Sequence, residues 1–584
     1  LEAPPGSLSS AGPLSQGVSM LCRMSSRWRL PPPESLTWQG VLQGHYFDTG
    51  WTGGRVEPRY HLLTSQDPIS GAEEVWLTVA LNSRFDGHGR QAHGRPHCSA
   101  VFALDVSGSM DSPFHRDSAG PTKLEAAKAA VARVFARLRP EDSAAVLTFA
   151  STVMVEASAM RPGGAEGAAE HLQAAVEALG VRPGTCFLTG FEAACGLALE
   201  GRKAPRAPLV PWSSGIHARL LPASRRGAIF LLLALHRGLG LPSPCAALVL
   251  GFLEVRELAA CGAGADHAAC PEAIPETRIF FMTDGCVPSN TRMAETLLAS
   301  IEHAATDHSI MTTIVGVDVD FDINFIYQLS RVRGASCFSV HNLTEFMQLL
   351  AEDLDYRVCP VAYDVRISVQ EPPELLQDRP VPVYGSPEIL VVEPQRGDAL
   401  CQVQSLFPSP AGARGQTRGN LMLCRLPEAP CGGKVRLLAS YLPPGGGPRM
   451  EILGEAALGG AADPASLKGI ALVRYVNMVR GYLGDMRAVP PNPRLSLATG
   501  VRHPPRSEVM ADSSKAIREI ERREALLAKA YADMFRVVRL HLAETQAQLQ
   551  ELGEVDADLS RSCGKLHELE RGCMDLVEMY ASTV

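Results

Sequence analysis

Asp105-Val106-Ser107-Gly108-Ser109 gathers a carboxylate and two hydroxyls within five residues. All three are hard oxygen donors, which suit Mg2+, Mn2+ or Ca2+ better than zinc. Ser107 and Ser109 are spaced by one residue and, on a tight turn, point at the same spot. Gly108 between them is expected to let the backbone approach closely. The chemistry these residues offer is cation binding. Use of Ser107 or Ser109 as a hydrolytic nucleophile fits less well, because the Gly-x-Ser-x-Gly elbow is absent.

Such a loop needs rigid elements on either side. Residues 100–104 are a short apolar run of the kind that forms a strand buried on both faces. Residues 123–138 carry Leu124, Ala127, Val131, Val134, Phe135 and Leu138 at helical spacing. Further strands are predicted at 144–149, 278–282, 312–317 and 336–340. Helices are predicted at 166–179, 188–199, 292–304, 323–330 and 344–354, the last capped by Asn342 or Thr344. Strands alternating with helices predict a doubly wound, Rossmann-like α/β unit with a parallel sheet and helices on both faces. Ligands of such sheets bind at the carboxyl edge of the strands, where Asp105 falls.

This pattern resembles the metal-ion-dependent adhesion site of von Willebrand factor type A domains, including those of integrins. Two further elements of that family motif match: Gly184-Thr185 before a helix, and Asp284-Gly285 after the apolar strand Phe280-Phe281-Met282-Thr283. By resemblance, Ser107, Ser109 and Thr185 would bind the metal directly, with Asp105 and Asp284 close by, often through water. If most direct ligands are neutral hydroxyls, the cation keeps net electrophilicity and an open position for a partner's carboxylate. The expected function is therefore a non-enzymatic, metal-dependent protein-interaction module whose partner exposes an Asp or Glu. The expected ion is Mg2+, or Mn2+ or Ca2+.

Rivals start from the same residues. A Mg2+-dependent phosphatase of the haloacid dehalogenase type also begins with Asp after a buried strand, but it needs a second Asp where this chain has Ser107, and an associated Lys is not evident. A scaffold with a degenerate metal site is the other alternative. Asp111 is read as a solvated loop residue and Asp142 as a helix-to-strand turn residue. Asp318, Asp320 and Asp322 lack the Gly and terminal Glu of an EF-hand.

At 584 residues the chain exceeds one core. Residues 1–96 are expected to be partly disordered, with a strand near 74–81. The family-like unit spans 97–357, with an irregular insertion at about 201–275. That insertion has the composition either of disordered chain or of a translated intron. Residues 358–460 switch to a two-residue period and predict a small antiparallel β-sandwich. Residues 443–448 are taken as a linker to a helical region, 461–584, which carries a Pro-rich linker at about 489–505. The strand beginning at Cys359 and the later Leu406-Phe407-Pro408-Ser409 loosely resemble the β module of calcium-activated chloride channel and inter-alpha-trypsin inhibitor heavy-chain architectures.

The formal charge of -8 excludes the basic footprint of a nucleic-acid binder. The apolar run 227–253 is broken by His236, Arg237, Pro242 and Pro244, so no membrane span is expected. Fifteen irregularly spaced cysteines read as free thiols, and the cytoplasm is the expected compartment.

Overall fold

The computed structural model describes residues 32–50, 52–114, 117–160, 168–203, 276–285, 292–319, 323–370, 381–385, 390–392, 399–410, 412, 415–444, 447–459, 463–490, 513–552 and 556–581. Nearly all of the expected insertion, the apolar run 227–253, most of the Pro-rich linker, Asp320 and Asp322 lie outside them. The chain divides into two compact units, Leu1–Arg202 with Pro275–Val584, and Lys203–Ile274. The first carries every element relevant to the site.

Along that unit the chain runs through α1 (Trp38–Gln43), β1 (Tyr46–Phe47), β2 (Glu57–Gln66), β3 (Glu73–Asn82) and α2 (His88–His93). It continues with β4 (Cys98–Asp105), a small hairpin of β5 (Pro113–Phe114) and β6 (Asp117–Thr122), α3 (Lys123–Phe135), β7 (Ser143–Phe149) and β8 (Val153–Met160). Then come α4 (Ala168–Glu177), α5 (Phe187–Lys203), β9 (Glu276–Thr283), α6 (Arg292–His308), β10 (Ile310–Val317), α7 (Ile323–Ser330) and β11 (Ser336–Val340). An irregular helix closes this part, with α-helical ends Leu343–Phe346 and Leu354–Arg357 around a π-helical turn, Met347–Glu352. Asn342 caps it, its side chain accepting from Glu345 N at 2.8 Å.

The central sheet has six strands in the order β11-β10-β9-β4-β7-β8. The first five are parallel, whereas β8 runs antiparallel to β7, so the expected all-parallel sheet is a mixed one. Every residue of β4 is buried, because the strand lies between β9 and β7 and both of its faces are covered. The alternation along β4 sorts its side chains between two cores. Ala100, Phe102 and Leu104 pack with α3 and α4 on one face, and Val101 and Ala103 pack with α5 and α6 on the other. Stacked rings tie the strands together, Phe102 of β4 on Phe280 of neighbouring β9 at 5.2 Å, and Phe149 of β7 on Phe281 of β9, across β4, at 4.5 Å. α3 begins sharply because Thr122 and Glu125 form a reciprocal capping box.

The remaining strands are β12 (Ala362–Val369), β13 (Val381–Tyr384), β14 (Leu390–Val392), β15 (Ala399–Leu406), β16 (Thr417–Arg418), β17 (Leu421–Leu426), β18 (Lys434–Leu442) and β19 (Met450–Ala457). They build a four-stranded sheet, β15-β12-β18-β19, and a five-stranded sheet, β14-β13-β17-β3-β2. One apolar core takes Leu62, Leu77 and Val79 from the second sheet and Val365, Ile367 and Leu437 from the first, so the two sheets face each other as a sandwich. The strand expected near 74–81 is β3, and it pairs with β17 in full register from Val75 to Ala80. The N-terminal segment thus completes the sandwich instead of standing apart. The expected linker at 443–448 is the connection of a hairpin, because β18 and β19 pair across it.

Three helices follow: α8 (Pro464–Ala488), α9 (Ser513–Glu551) and α10 (Ala557–Met579). α8 is buried along most of its length against Trp38, Trp76, Leu421 and Leu423, and against Tyr531, Phe535 and Val538 of α9. The helical tail therefore packs back on the sandwich.

Candidate metal centre

The loop after β4 is pinned on three sides. Val106 N donates to Phe149 O at 3.0 Å, Arg182 N donates to Val106 O at 2.6 Å, and Ser107 forms a parallel bridge with Arg182. A 3-10 turn, Gly108–Asp111, then carries Ser109 outward, with Met110 N donating to Ser107 O at 3.0 Å. Met110 is fully buried and anchors the turn, while Ser109 is exposed.

Asp105 is fully buried. Its Oδ1 accepts from Ser107 N at 2.8 Å and its Oδ2 accepts from Thr283 Oγ1 at 2.7 Å. Burial pushes this carboxyl up from its ordinary range; the hydrogen bonds from Thr283 and Ser107 offset part of that, and the charge of Asp284 adds to it. Ser107 Oγ and Ser109 Oγ stand 3.1 Å apart, and Ser109 Oγ donates to Asp284 Oδ1 at 2.9 Å. Four of the five predicted residues, Asp105, Ser107, Ser109 and Asp284, thus meet at the carboxyl edge of β4 and β9.

Thr185 is placed differently. It is exposed on the loop between Arg182 and α5, and among the described residues no hydrogen bond joins it to the other four. The loop itself is firmly set. Gly184 has φ +79°, and a Cβ there would lie 3.0 Å from Ser151 Cβ. Ser151 N donates to Pro183 O at 3.1 Å and Cys186 N to Ala150 O at 2.9 Å. Gly285 is required for a different reason: a Cβ on it would lie 2.3 Å from the Phe187 ring. Gly108 faces open space. A Cβ there would meet no protein atom within 4 Å, so the chain itself makes no demand for glycine at that position.

Two residues of the site were not anticipated. Thr283 donates to Asp105 and accepts from Gly285 N at 2.9 Å, joining two of the loops through one hydroxyl. Lys123, the first residue of α3, is buried, and its Nζ donates to Asp284 Oδ2 at 3.1 Å, with side-chain exposures of 7 % and 3 %. An associated lysine therefore does exist. Its signal in the sequence was faint: a lysine on the first turn of a helix, against the positive end of the helix dipole.

The donor set fits a hard divalent cation. Ser107, Ser109, Asp105 and Asp284 offer only oxygen, and three of those oxygens already converge at hydrogen-bond distances. A second group, His45, Asp556 and Asp558, has ligand atoms within 4.8 Å of one another. Its carboxylates are engaged otherwise. Asp556 caps α10 and pairs with Lys468, and Asp558 pairs with Arg561. Burial first, then the charges of Lys468, Lys565, Arg561 and Arg418, hold the His45 imidazole well below its ordinary range. That surplus of positive charge disfavours a cation.

The other acidic residues singled out in the sequence have structural settings. Asp142 is fully buried and receives a bidentate pair from Arg95 at 2.8 and 2.5 Å, together with Cys98 N at 2.9 Å. Asp318 lies 3.7 Å from His341, and Asp111 is exposed. Nine cysteines with described side chains are free thiols. No helix among the described residues is long and apolar enough to cross a membrane.

Residues 100–212 match the von Willebrand factor type A domain family. No curated protein matches the chain. Among solved structures, a von Willebrand factor type A protein from Catenulispora acidiphila is similar at 14 % identity, covering 90 % of this chain and 97 % of that one, with a TM-score of 0.40. The ArnB paralog VWA2 from Sulfolobus acidocaldarius is similar at 9 % identity, covering 91 % and 96 %, with a TM-score of 0.30. Proximal thread matrix protein 1 from the mussel byssus, solved with a zinc-occupied MIDAS motif, is similar at 10 % identity over 47 % and 50 %, with a TM-score of 0.25. Likenesses of this size leave the site to the geometry of the chain itself.

Proposed function

We propose that this chain, which contains a von Willebrand factor type A domain, is a metal-dependent docking protein that captures an acidic side chain of a partner protein at its Asp105–Ser109 loop. The observation that carries this reading is the run of short contacts from Ser107 Oγ through Ser109 Oγ to Asp284 Oδ1, beside buried Asp105, at the carboxyl edge of the sheet. Ser107, Ser109 and Thr185 are the ligands proposed for Mg2+, Mn2+ or Ca2+, with Asp105 and Asp284 behind them. A divalent ion bound there supplies an electrophile for an incoming carboxylate.

The chain's own residues supply the rest. Thr283 and the Ser107 N–H fix both oxygens of Asp105, so the acid cannot swing, and the bond to Ser107 N holds the loop in its turn. Exposed Ser109 and Thr185 leave the face above the loop open to a partner. Hydrolysis is the weaker reading. Asp105 already accepts on both oxygens, which blunts it as a nucleophile, and Ser107 stands where the phosphatase class requires a carboxylate. Lys123 does not change that balance.

The test is retention of Asp- and Glu-bearing peptides by the immobilised full chain, in Mg2+ and in EDTA. Retention in Mg2+ that EDTA and Ser107→Ala each abolish is the expected result. Retention that survives both would contradict the proposal, and turnover of p-nitrophenyl phosphate by the wild type would favour the hydrolase instead.

A further inference from the structure

Lys123 occupies a costly place. It is the first residue of α3, where the helix dipole disfavours a cation. It is also buried, where an ammonium is disfavoured unless paired. Its pairing partner is Asp284, whose other oxygen accepts from Ser109. The capping box of Thr122 and Glu125 fixes where α3 begins and so holds Lys123 at this point of the chain.

We infer that Lys123 is an internal counter-ion of the metal centre, which competes with the divalent ion for Asp284 and couples the ion's retention to an incoming carboxylate. The inference rests on the docking reading above. Its logic is a charge count over the site. Without a metal, the carboxylates of Asp105 and Asp284 are balanced in part by one ammonium. With a divalent ion added, two negative and three positive charges stand together, and the loaded site carries one positive charge in excess. Like charges at contact range repel strongly where water is largely excluded, so the ion is held loosely. A partner's carboxylate cancels the excess and tightens the hold. Without Lys123 the loaded site would be neutral before any partner arrived. The ion would then bind more tightly and the carboxylate more weakly, two changes of opposite sign from one substitution.

The experiment is calorimetric titration of Mn2+ into the metal-free full chain, with and without sodium acetate as the carboxylate probe. Wild type, Lys123→Met, Lys123→Gln and Lys123→Arg are compared. Lys123→Met and Lys123→Gln should bind Mn2+ at least about tenfold more tightly than wild type, and Lys123→Arg should stay near wild type. Acetate should raise the Mn2+ affinity of the wild type more than that of the neutral variants. The melting temperature of the metal-free protein should fall in the neutral variants and recover when Mn2+ is added. Equal or weaker Mn2+ binding by both neutral variants would overturn the inference while leaving the metal centre standing. Absence of Mn2+ binding by all four proteins would instead remove the docking reading and the inference with it.

Discussion

Asp105 and Thr283 show how much of the site depends on single atoms. The Thr283 hydroxyl donates to Asp105 Oδ2 and accepts from Gly285 N, so the Asp-Gly loop and the Asp105 loop share one pivot. Thr283→Val keeps the shape and removes both bonds. Loss of a buried hydrogen bond that strands its partners costs about 1–3 kcal/mol. Urea unfolding of the metal-free variant should show a loss in that range, and Mn2+ affinity should fall with it. Unchanged stability and affinity would mean that Thr283 does not hold the loops. Asp105, Ser107, Ser109 and Asp284 were legible in the sequence because each sits within four residues of a strand end that hydrophobicity marks clearly. Thr283 was hidden because a threonine inside an apolar strand is common there for reasons of β propensity. Lys123 was hidden because its contact spans 161 residues of sequence.

Between elements, buried carboxylates act as joints. Asp142 joins the entry to β7 with the start of β4: it pairs with Arg95, both side chains having zero exposure, and accepts from Cys98 N and Arg139 N. Burial alone would push its carboxyl up, but the hydrogen bonds and charge of Arg95 outweigh that and hold it below the ordinary range. Asp142→Ala leaves the buried Arg95 guanidinium with Asp355, 2.6 Å from its Nε, as its remaining carboxylate partner and should cost about 2–3 kcal/mol in equilibrium unfolding. A loss below about 1 kcal/mol, the range of surface pairs, would show the pair to be peripheral. Asp86 joins the exit of β3 to the segment between β15 and β16, accepting from Ser83 N at 2.7 Å and Ser409 N at 2.8 Å. Burial pushes its carboxyl up to about 7, against the pull of those N–H groups and of Arg90. A folded-state value above the unfolded one means that the native state binds the proton more firmly. Its contribution is therefore greatest below about pH 4, declines as the pH rises to about 7, and is flat beyond. Asp86→Asn should flatten the stability profile across that window; an identical slope in the variant would locate the titration elsewhere.

The same scale shows where patterning succeeded. β4, β9 and β10 were read from apolar runs because both faces of a central strand are buried. β19 was missed because its residues are almost all exposed or half-buried, so no alternation survives. β8 was missed because it is an edge strand with Met154 and Val155 exposed.

At the scale of the whole molecule, the α/β part and the sandwich interior have cores of their own, and the helical tail shares one with Trp76, Leu421 and Leu423 of the sandwich. The tail's core is anchored by Phe535, fully buried with Tyr482 and Tyr531 around it. Phe535→Ala should cost about 3–5 kcal/mol and lower the melting temperature without displacing the metal loop, whose Mn2+ affinity should stay at the wild-type value. Altered affinity would reveal coupling between the tail and the site. The end of α5 lies beside the start of β9. Arg202, near the end of α5, donates from Nε to Thr277 Oγ1 at 2.9 Å at the start of β9. Replacing residues 204–275 with a short Gly/Ser linker should therefore leave the fold and Mn2+ binding intact; loss of either would assign that segment a structural part. The proposed docking function requires one divalent ion held at Asp105, Ser107, Ser109, Thr185 and Asp284. Equilibrium Mn2+ binding followed by electron paramagnetic resonance, on the full chain and on Asp105→Ala with its secondary structure checked by circular dichroism, tests it most directly. One Mn2+ per wild-type chain and none on the folded variant is the predicted result. Equal occupancy of both proteins, or of neither, would contradict it.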